Sequence, residues 1–383
     1  MIDLLDGDLY AGDPSPVYAW LREHAPVYHD TANNLWGVSR HADISAIERD
    51  PHLWTSTVGY RPQLPSESSM IGMDDPEHAA RRRLVYRRFT PRHVRERYAP
   101  RIREVVVEQL DRALARGTVD AVAELAAPLP ARVIGWLLGF PDEEWPRLKH
   151  WSESTIVAGG GLRYVTHEAA VAAAEYGQAV LTLAAERRAH PRDDLLSLWC
   201  ASPDYDDDHL ANEALLLLDG GAETTRTVIA TAIDALIRHP DQWRLLREDR
   251  DLMEGAIEEF IRWTTPILNM CRAATRDTWL HGQLIPEGQQ VLLMYGSANR
   301  DPEVFAEPGV FDVTRKPGGH IAFGLGTHFC LGAALARLEL RIFFEEWLDR
   351  VAEASWADDA GPRIQPNAFV RGVTSFPIEL RPR

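Results

Sequence analysis

Residues His320–Gly332 read H-I-A-F-G-L-G-T-H-F-C-L-G. A glycine-rich turn runs into a cysteine, and the pattern predicts a long helix from Leu331 to Arg350. Backbone N–H groups and the macrodipole at a helix N-terminus pull a thiol towards thiolate. Gly324 and Gly326 permit a tight turn close to a flat ligand, and Gly332 lets that ligand lie on the first helical turn. A phosphate loop requires Lys-Ser/Thr after the glycines, and His-Phe-Cys stands there instead. A plain buried thiol remains the alternative on composition alone.

The segment resembles the cysteine-ligand loop of the cytochrome P-450 monooxygenases, Phe-Gly-x-Gly-x-His-x-Cys-x-Gly. All six fixed positions match: Phe323, Gly324, Gly326, His328, Cys330 and Gly332. The resemblance implies haem b as cofactor, Cys330 as the axial iron ligand, and Phe323, Gly324 and Gly332 against the macrocycle. A thiolate ligand pushes electron density onto iron and favours O–O cleavage. The implied fold is mainly α with a minor β region, a triangular prism with haem between a distal and a proximal helix.

Upstream, Glu259-Phe260-Ile261-Arg262 is an E-x-x-R on a predicted helix. Such pairs are usually solvated. The resemblance instead makes Glu259, Arg262 and Arg315 a buried structural ion network. Gly220-Gly221-Ala222-Glu223-Thr224-Thr225 interrupts the helical run Asp208–Arg238 with poor helix formers. That predicts a local bulge or a close helix crossing, and bulges cluster at functional sites. By resemblance Thr224 hydrogen-bonds oxygen at the iron and Glu223 helps deliver protons. Gly220 stands where the family commonly has alanine. His78 and Arg82 are four apart and share a helix face. They are a solvated basic face or, by resemblance, haem propionate contacts together with Arg272 and His320.

The chain has 383 residues, a formal net charge of −16, 45% hydrophobic and 26% charged residues. That composition is ordinary for a folded globular protein. The charge argues against general nucleic-acid binding and against docking on anionic membranes. Yet His78–Arg103 holds ten arginines against a single acid, Glu96. This is a solvated face or a docking patch for an acidic electron donor. No flavin or nicotinamide fingerprint is present, so the expected donors are a ferredoxin and its ferredoxin reductase. The N-terminal residues have no basic or apolar signal region, and no run approaches the ~20 apolar residues of a membrane helix. A cytoplasmic monomer without a membrane anchor is expected. The three cysteines, Cys200, Cys271 and Cys330, include no CxxC pair, so no zinc or disulfide framework is expected.

Further helices are predicted over Val17–Glu23, from Pro76, and over Arg101–Arg116, Ala131–Leu138, Glu168–Ala189 and Asp251–Trp263, with strands at Asn34–Ser39, within Ile267–Val291 and within Arg363–Leu380. The implied haem contacts run from His78 to Cys330, so residues 1–383 read as one domain. Expected substrate-pocket residues are Met70, Ile71, Leu217, Gly221, Ile267, Leu268, Asn269, Phe369 and Val370. The expected walls are the loop Gly59–Met73, Val157–Val165, Leu217–Gly221, Pro266–Asn269 and Phe369–Val370, with Gly159–Gly161 as a lid hinge. The phrases Asp6–Ala11, Met70–His78, Ala127–Gly135, Trp263–Arg272 and Asn367–Gly372 are similar to actinobacterial sterol side-chain hydroxylases of the family. They imply oxidation of the terminal carbon of a cholesterol or cholestenone side chain. The alternative is tailoring hydroxylation of a polyketide, terpenoid or peptide natural product. A peroxygenase is disfavoured by Glu223-Thr224, and a haem-thiolate sensor has no need of a proton relay.

Overall fold

The computed structural model describes residues 1–316, 318–358 and 360–383. The helix Pro91–Arg116 lies along the helix Ala333–Arg350. It buries Val94, Tyr98, Ile102, Val105, Val106, Leu110 and Ala113, a stripe at three- and four-residue spacing. It stops at Gly117, whose φ of 78° suits glycine. It begins ten residues before the expected Arg101 and runs through Pro100. Pro91 preorganises the first turn, and burial of Val94 and Tyr98 outweighs the local cost of Pro100.

The run expected as Asp208–Arg238 is three pieces: α-helix Asp207–Leu218, a π turn Asp219–Glu223, and α-helix Thr224–Arg238. The Asp206 side chain caps the first by accepting from the His209 N–H. The basic helix Glu77–Tyr86 follows Pro76, and Asp75 accepts from the Ala79 N–H at 3.0 Å.

A five-stranded sheet has the order Val27–Asp30, Leu35–Val38, Gln290–Met294, Asn269–Ala274, Trp54–Thr55. Only the pair Leu35–Val38 with Gln290–Met294 is parallel. Three strands, Thr118–Asp120, Pro377–Pro382 and Val351–Trp356, form another sheet. The last of these continues directly from the Ala333–Arg350 helix and had no separate sequence signal.

Helix Met253–Thr264 carries Glu259 and Arg262, each only 2% exposed. Arg262 Nε and Nη2 donate to the two Glu259 oxygens at 2.7 Å each. Arg315 Nε donates to Glu259 Oε2 at 3.1 Å, and the Asp312 N–H donates to Oε1 at 3.1 Å. Arg262 Nη1 also donates to the Asn299 and Pro308 carbonyls at 2.9 and 3.0 Å. The E-x-x-R is therefore a buried clamp on the chain between Asn299 and Arg315. Removing one partner of a buried pair leaves an uncompensated charge, at a cost of ~3–5 kcal/mol. Arg262→Ala is expected to lower stability by about that amount in chemical denaturation. Arg315→Ala should cost clearly less, because Glu259 keeps both Arg262 bonds.

Candidate active site

The cavity between the bulged helix and the cysteine loop holds about 1610 Å³ free of protein atoms, its mouth included. One wall is Phe323, Gly324, Cys330, Leu331, Gly332, Leu335 and Ala336. The opposite wall is Leu217, Gly220, Gly221, Thr224, Thr225 and Val228. His78, Arg82, Arg272 and His328 complete the lining.

The cysteine loop is held by backbone geometry. Gly326 has φ +63°, and a Cβ there would lie 2.3 Å from the Glu48 carbonyl oxygen, so no side chain fits. Gly324 also has positive φ, +66°, and the Cys330 N–H closes the turn onto the Phe323 carbonyl at 2.8 Å. Burial pushes the Cys330 thiol up, while the Gly332 and Ala333 N–H groups and the Arg82 and Arg337 guanidiniums pull it down. The expected helix-terminus pull is present but is outweighed by burial in the protein alone. A coordinating metal deprotonates such a thiol outright.

The polar rim crowds hydrogen-bond donors together, two histidines and the guanidiniums of Arg82 and Arg272. The His78 and His328 rings are 4.3 Å apart. Arg82 Nη2 donates to the Phe329 carbonyl at 2.6 Å, and Arg272 Nη1 to the Cys271 carbonyl at 2.8 Å. Glu48 faces this group, 3.8 Å from Arg272. Burial, with Arg272, His78 and Arg82 nearby, pushes His328 down to about 2. Burial also lowers His78, against the pull of Asp75. Four donors around one edge with too little negative charge form a receptor for carboxylates. A thiol on one face, donors at the edge and apolar walls together fit haem with its two propionates.

His320 does not belong to this rim. Its Nε2 is 3.0 Å from Glu258 Oε2, and Arg337 grips the same carboxylate at 2.6 and 2.8 Å. Burial raises Glu258, but hydrogen bonds from Arg337 and His320 hold it down to about 2. His320 thus anchors the loop from outside, and His328 occupies the rim position expected of it. The signal was available, because His328 is a fixed position of the loop motif, two residues before Cys330.

On the distal wall, Thr224 Oγ1 donates to the Gly220 carbonyl at 2.6 Å across the π turn. Glu223 is 2% exposed and does not line the cavity. It pairs with Arg226 and accepts from Ser152 Oγ at 3.4 Å. Arg226 pairs in turn with Glu153, whose Oε1 is 2.7 Å from Lys149 Nζ. Burial pushes the Glu223 carboxyl up, against the pull of Arg226.

Met70, Ile71, Leu217, Gly221, Ile267 and Phe369 line the cavity, whereas Leu268, Asn269 and Val370 do not. Strand period is the reason for Asn269: alternation brings Met270 and Arg272 to the cavity and turns Asn269 away, its Nδ2 donating to the Ala368 carbonyl at 2.5 Å. Leu268 packs with Leu4, Leu5 and Tyr10, and Val370 with Ile156. Val157–Val165 is also absent from the lining. Gly159 lies against the Phe369 ring, where a Cβ would come within 2.3 Å, so close packing explains that glycine. Tyr60 and Arg61, from the expected wall Gly59–Met73, and Asp219, from the expected wall Leu217–Gly221, also line the cavity; Ile134 and Met270 line it without having been expected. For Asp219 there was a signal, an acid ending the apolar run Ala214–Leu218.

The Cytochrome P-450 family model matches residues 167–351. The steroid C26-monooxygenase of Mycolicibacterium smegmatis is 41% identical over 394 residues, covering 100% of this chain and 96% of that protein. The steroid C26-monooxygenase of Mycobacterium tuberculosis H37Rv is 40% identical over 391 residues, covering 100% and 97%. The crystal structure of CYP109E1 from Bacillus megaterium in complex with testosterone is similar with a TM-score of 0.89 at 30% identity, covering 97% of this chain and 99% of that one. The chain belongs to the cytochrome P-450 family. It is an oxidoreductase of the monooxygenase class with haem b as cofactor, a hydrophobic substrate and a separate electron donor. Among the described residues no helix is long and apolar enough to cross a membrane.

The two histidines separate experimentally. His328→Ala is expected to lower haem content per chain severalfold after gel filtration, read as the ratio of Soret to protein absorbance. His320→Ala should retain its haem and lose thermal stability instead. The reverse pattern would return His320 to the rim.

Proposed function

We propose that this enzyme hydroxylates the terminal carbon of a cholesterol or cholestenone side chain. One atom of O2 enters the C–H bond, and the other leaves as water with two electrons and two protons. The likeness that supports this reading most is the full-length match at about 40% identity to steroid C26-monooxygenases. A mainly apolar distal half, with Leu217, Val228, Ile267 and Phe369 on its walls, suits such a side chain and excludes water.

Cys330 would ligate the iron, and His78, Arg82, Arg272 and His328 would hold the propionates. The bound haem supplies oxygen activation at a thiolate-ligated iron. Thr224 commits its hydroxyl hydrogen to the Gly220 carbonyl, leaving the Oγ1 lone pairs to accept a hydrogen bond from the cavity side. Glu223 stands behind it. Its carboxyl must turn away from Arg226 to serve as donor, and the chain Glu223–Arg226–Glu153–Lys149 leads outward to half-exposed side chains. Glu259, Arg262 and Arg315 keep the cysteine loop in place and take no part in proton movement.

Structural pairing narrows the basic patch. Arg88 and Arg97 pair with Asp193, Arg92 with Glu96, Arg101 with Asp142, and Arg103 with Glu345 and Glu346. Arg83, Arg87 and Arg95 are exposed and have no acidic partner among the described residues. These three suit an acidic ferredoxin, itself reduced by ferredoxin reductase. We read the chain as a single domain, working as a cytoplasmic monomer.

Thr224→Ala is expected to divert reducing equivalents into hydrogen peroxide, with a several-fold rise in peroxide per electron pair and a matching fall in product. Unchanged coupling would remove Thr224 from the proton path. Cholest-4-en-3-one should shift the haem from low to high spin and yield a terminal alcohol by mass spectrometry. Absence of both would overturn the sterol reading.

A further inference from the structure

The cavity wall supplied by residues 59–73 is fixed in two unequal halves. The first half is stitched to the five-stranded sheet. The Cys271 N–H donates to the Tyr60 carbonyl at 2.8 Å, and the Gln63 N–H to Gln290 Oε1 at 2.9 Å. Gln290 Nε2 donates to the Gly59 and Arg61 carbonyls at 3.2 Å each. The second half holds mainly to its own loop. Ser66 Oγ donates to the Gly72 carbonyl at 2.9 Å, and the Tyr60 hydroxyl to Glu67 Oε2 at 3.1 Å. Among the described residues, a single hydrogen bond ties residues 66–72 to an element outside the loop: the Met70 N–H donates to Glu213 Oε1 at 2.9 Å. Met70 and its neighbour Ile71 both line the cavity.

Glu213 itself does not line it. It stands on the buried face of helix Asp207–Leu218, with Leu210, Ala214 and Leu218. Leu216 and Leu217, one turn further on, do reach the cavity. A carboxyl is costly to bury, and an apolar side chain would suit the same face of this helix. What Glu213 adds is an acceptor for Met70. The nearest cation is Arg81 on helix Glu77–Tyr86, whose guanidinium lies 4.1 Å over the Tyr205 ring. Burial pushes the Glu213 carboxyl up to about 7, against the pull of the Met70 N–H and Arg81. Near neutrality it therefore serves the loop as an acceptor more than as a charge. We infer that Glu213 is a positioning residue for the substrate: from outside the cavity it fixes the wall at Met70 and Ile71, and so sets how tightly an apolar chain is held there. The inference deepens the proposed function and rests on its use of this cavity for the substrate, not on the sterol. Without the acceptor, the Met70 N–H is left buried and unpaired, and the wall must shift to satisfy it.

The test uses imidazole and 1-octylimidazole, which both bind haem iron through a ring nitrogen. Only the second extends along the apolar walls. Each holoenzyme variant is titrated spectrally after its reduced carbon monoxide complex has shown the wild-type Soret band. Glu213→Leu is expected to weaken 1-octylimidazole roughly tenfold in Kd while imidazole stays within about twofold. Glu213→Gln retains the acceptor and should stay within about twofold of wild type for both ligands. In a chain carrying Met70→Ala and Ile71→Ala, Glu213→Leu should add less than about twofold, because the wall it places is already cut back. Wild-type affinity for 1-octylimidazole in Glu213→Leu, an equal loss for both ligands, or a Gln variant as weak as the Leu variant would overturn the inference. Both probes anchor on iron whatever the natural substrate, so a missing cholest-4-en-3-one shift would sink the sterol reading alone.

Discussion

Two neighbouring carboxylates on one helix hold both sides of the segment that carries Cys330. Glu259 grips Arg262, Arg315 and the Asp312 N–H on the approach to the loop. Glu258 grips His320 at the loop's start and Arg337 on the helix beyond the cysteine. The glycine turn between them is closed by its own backbone, and these anchors fix its two ends. A buried charge tolerates no vacancy opposite it. That intolerance makes the anchors rigid and keeps the sulfur facing the cavity.

The opposite wall uses a different device. Poor helix formers in the bulged helix yield a π turn that frees the Gly220 carbonyl for Thr224 and leaves open space at Gly220. The same turn sets Asp219 at the cavity wall and Glu223 behind it. One extra residue in a turn thus separates an acid at the cavity wall from an acid sheltered among Arg226 and Ser152. The electrostatic contrast between the rim, with the Arg82 and Arg272 guanidiniums, and the mainly apolar distal half orients what each end of the cavity can hold.

Much of this was legible in the linear chain. The six fixed positions of the cysteine loop, the E-x-x-R and the Gly-Gly-Ala-Glu-Thr-Thr run are local patterns, and turns, caps and bulges are local in origin. The misreadings share one cause. His320 and His328 flank the same turn, and the direction each ring takes depends on where Glu258 and the rim lie in space. Asn269 and Met270 are consecutive, and only the pairing of their strand with Gln290–Met294 decides which reaches the cavity. Arg61 carries no motif at all, and it reaches the cavity wall because the loop containing it folds onto Asp219 from 158 residues away.

By itself, the sequence determined the class of fold, the glycine turn that carries Cys330 and the place of the helix bulge, because glycine conformations, helix breakers and a fixed motif act over a few neighbouring residues. Only the tertiary structure decided which histidine joins the rim, which side chains face the substrate and which arginines stay unpaired on the surface. Those outcomes depend on burial and on charges brought together from distant parts of the chain, and no local pattern records either.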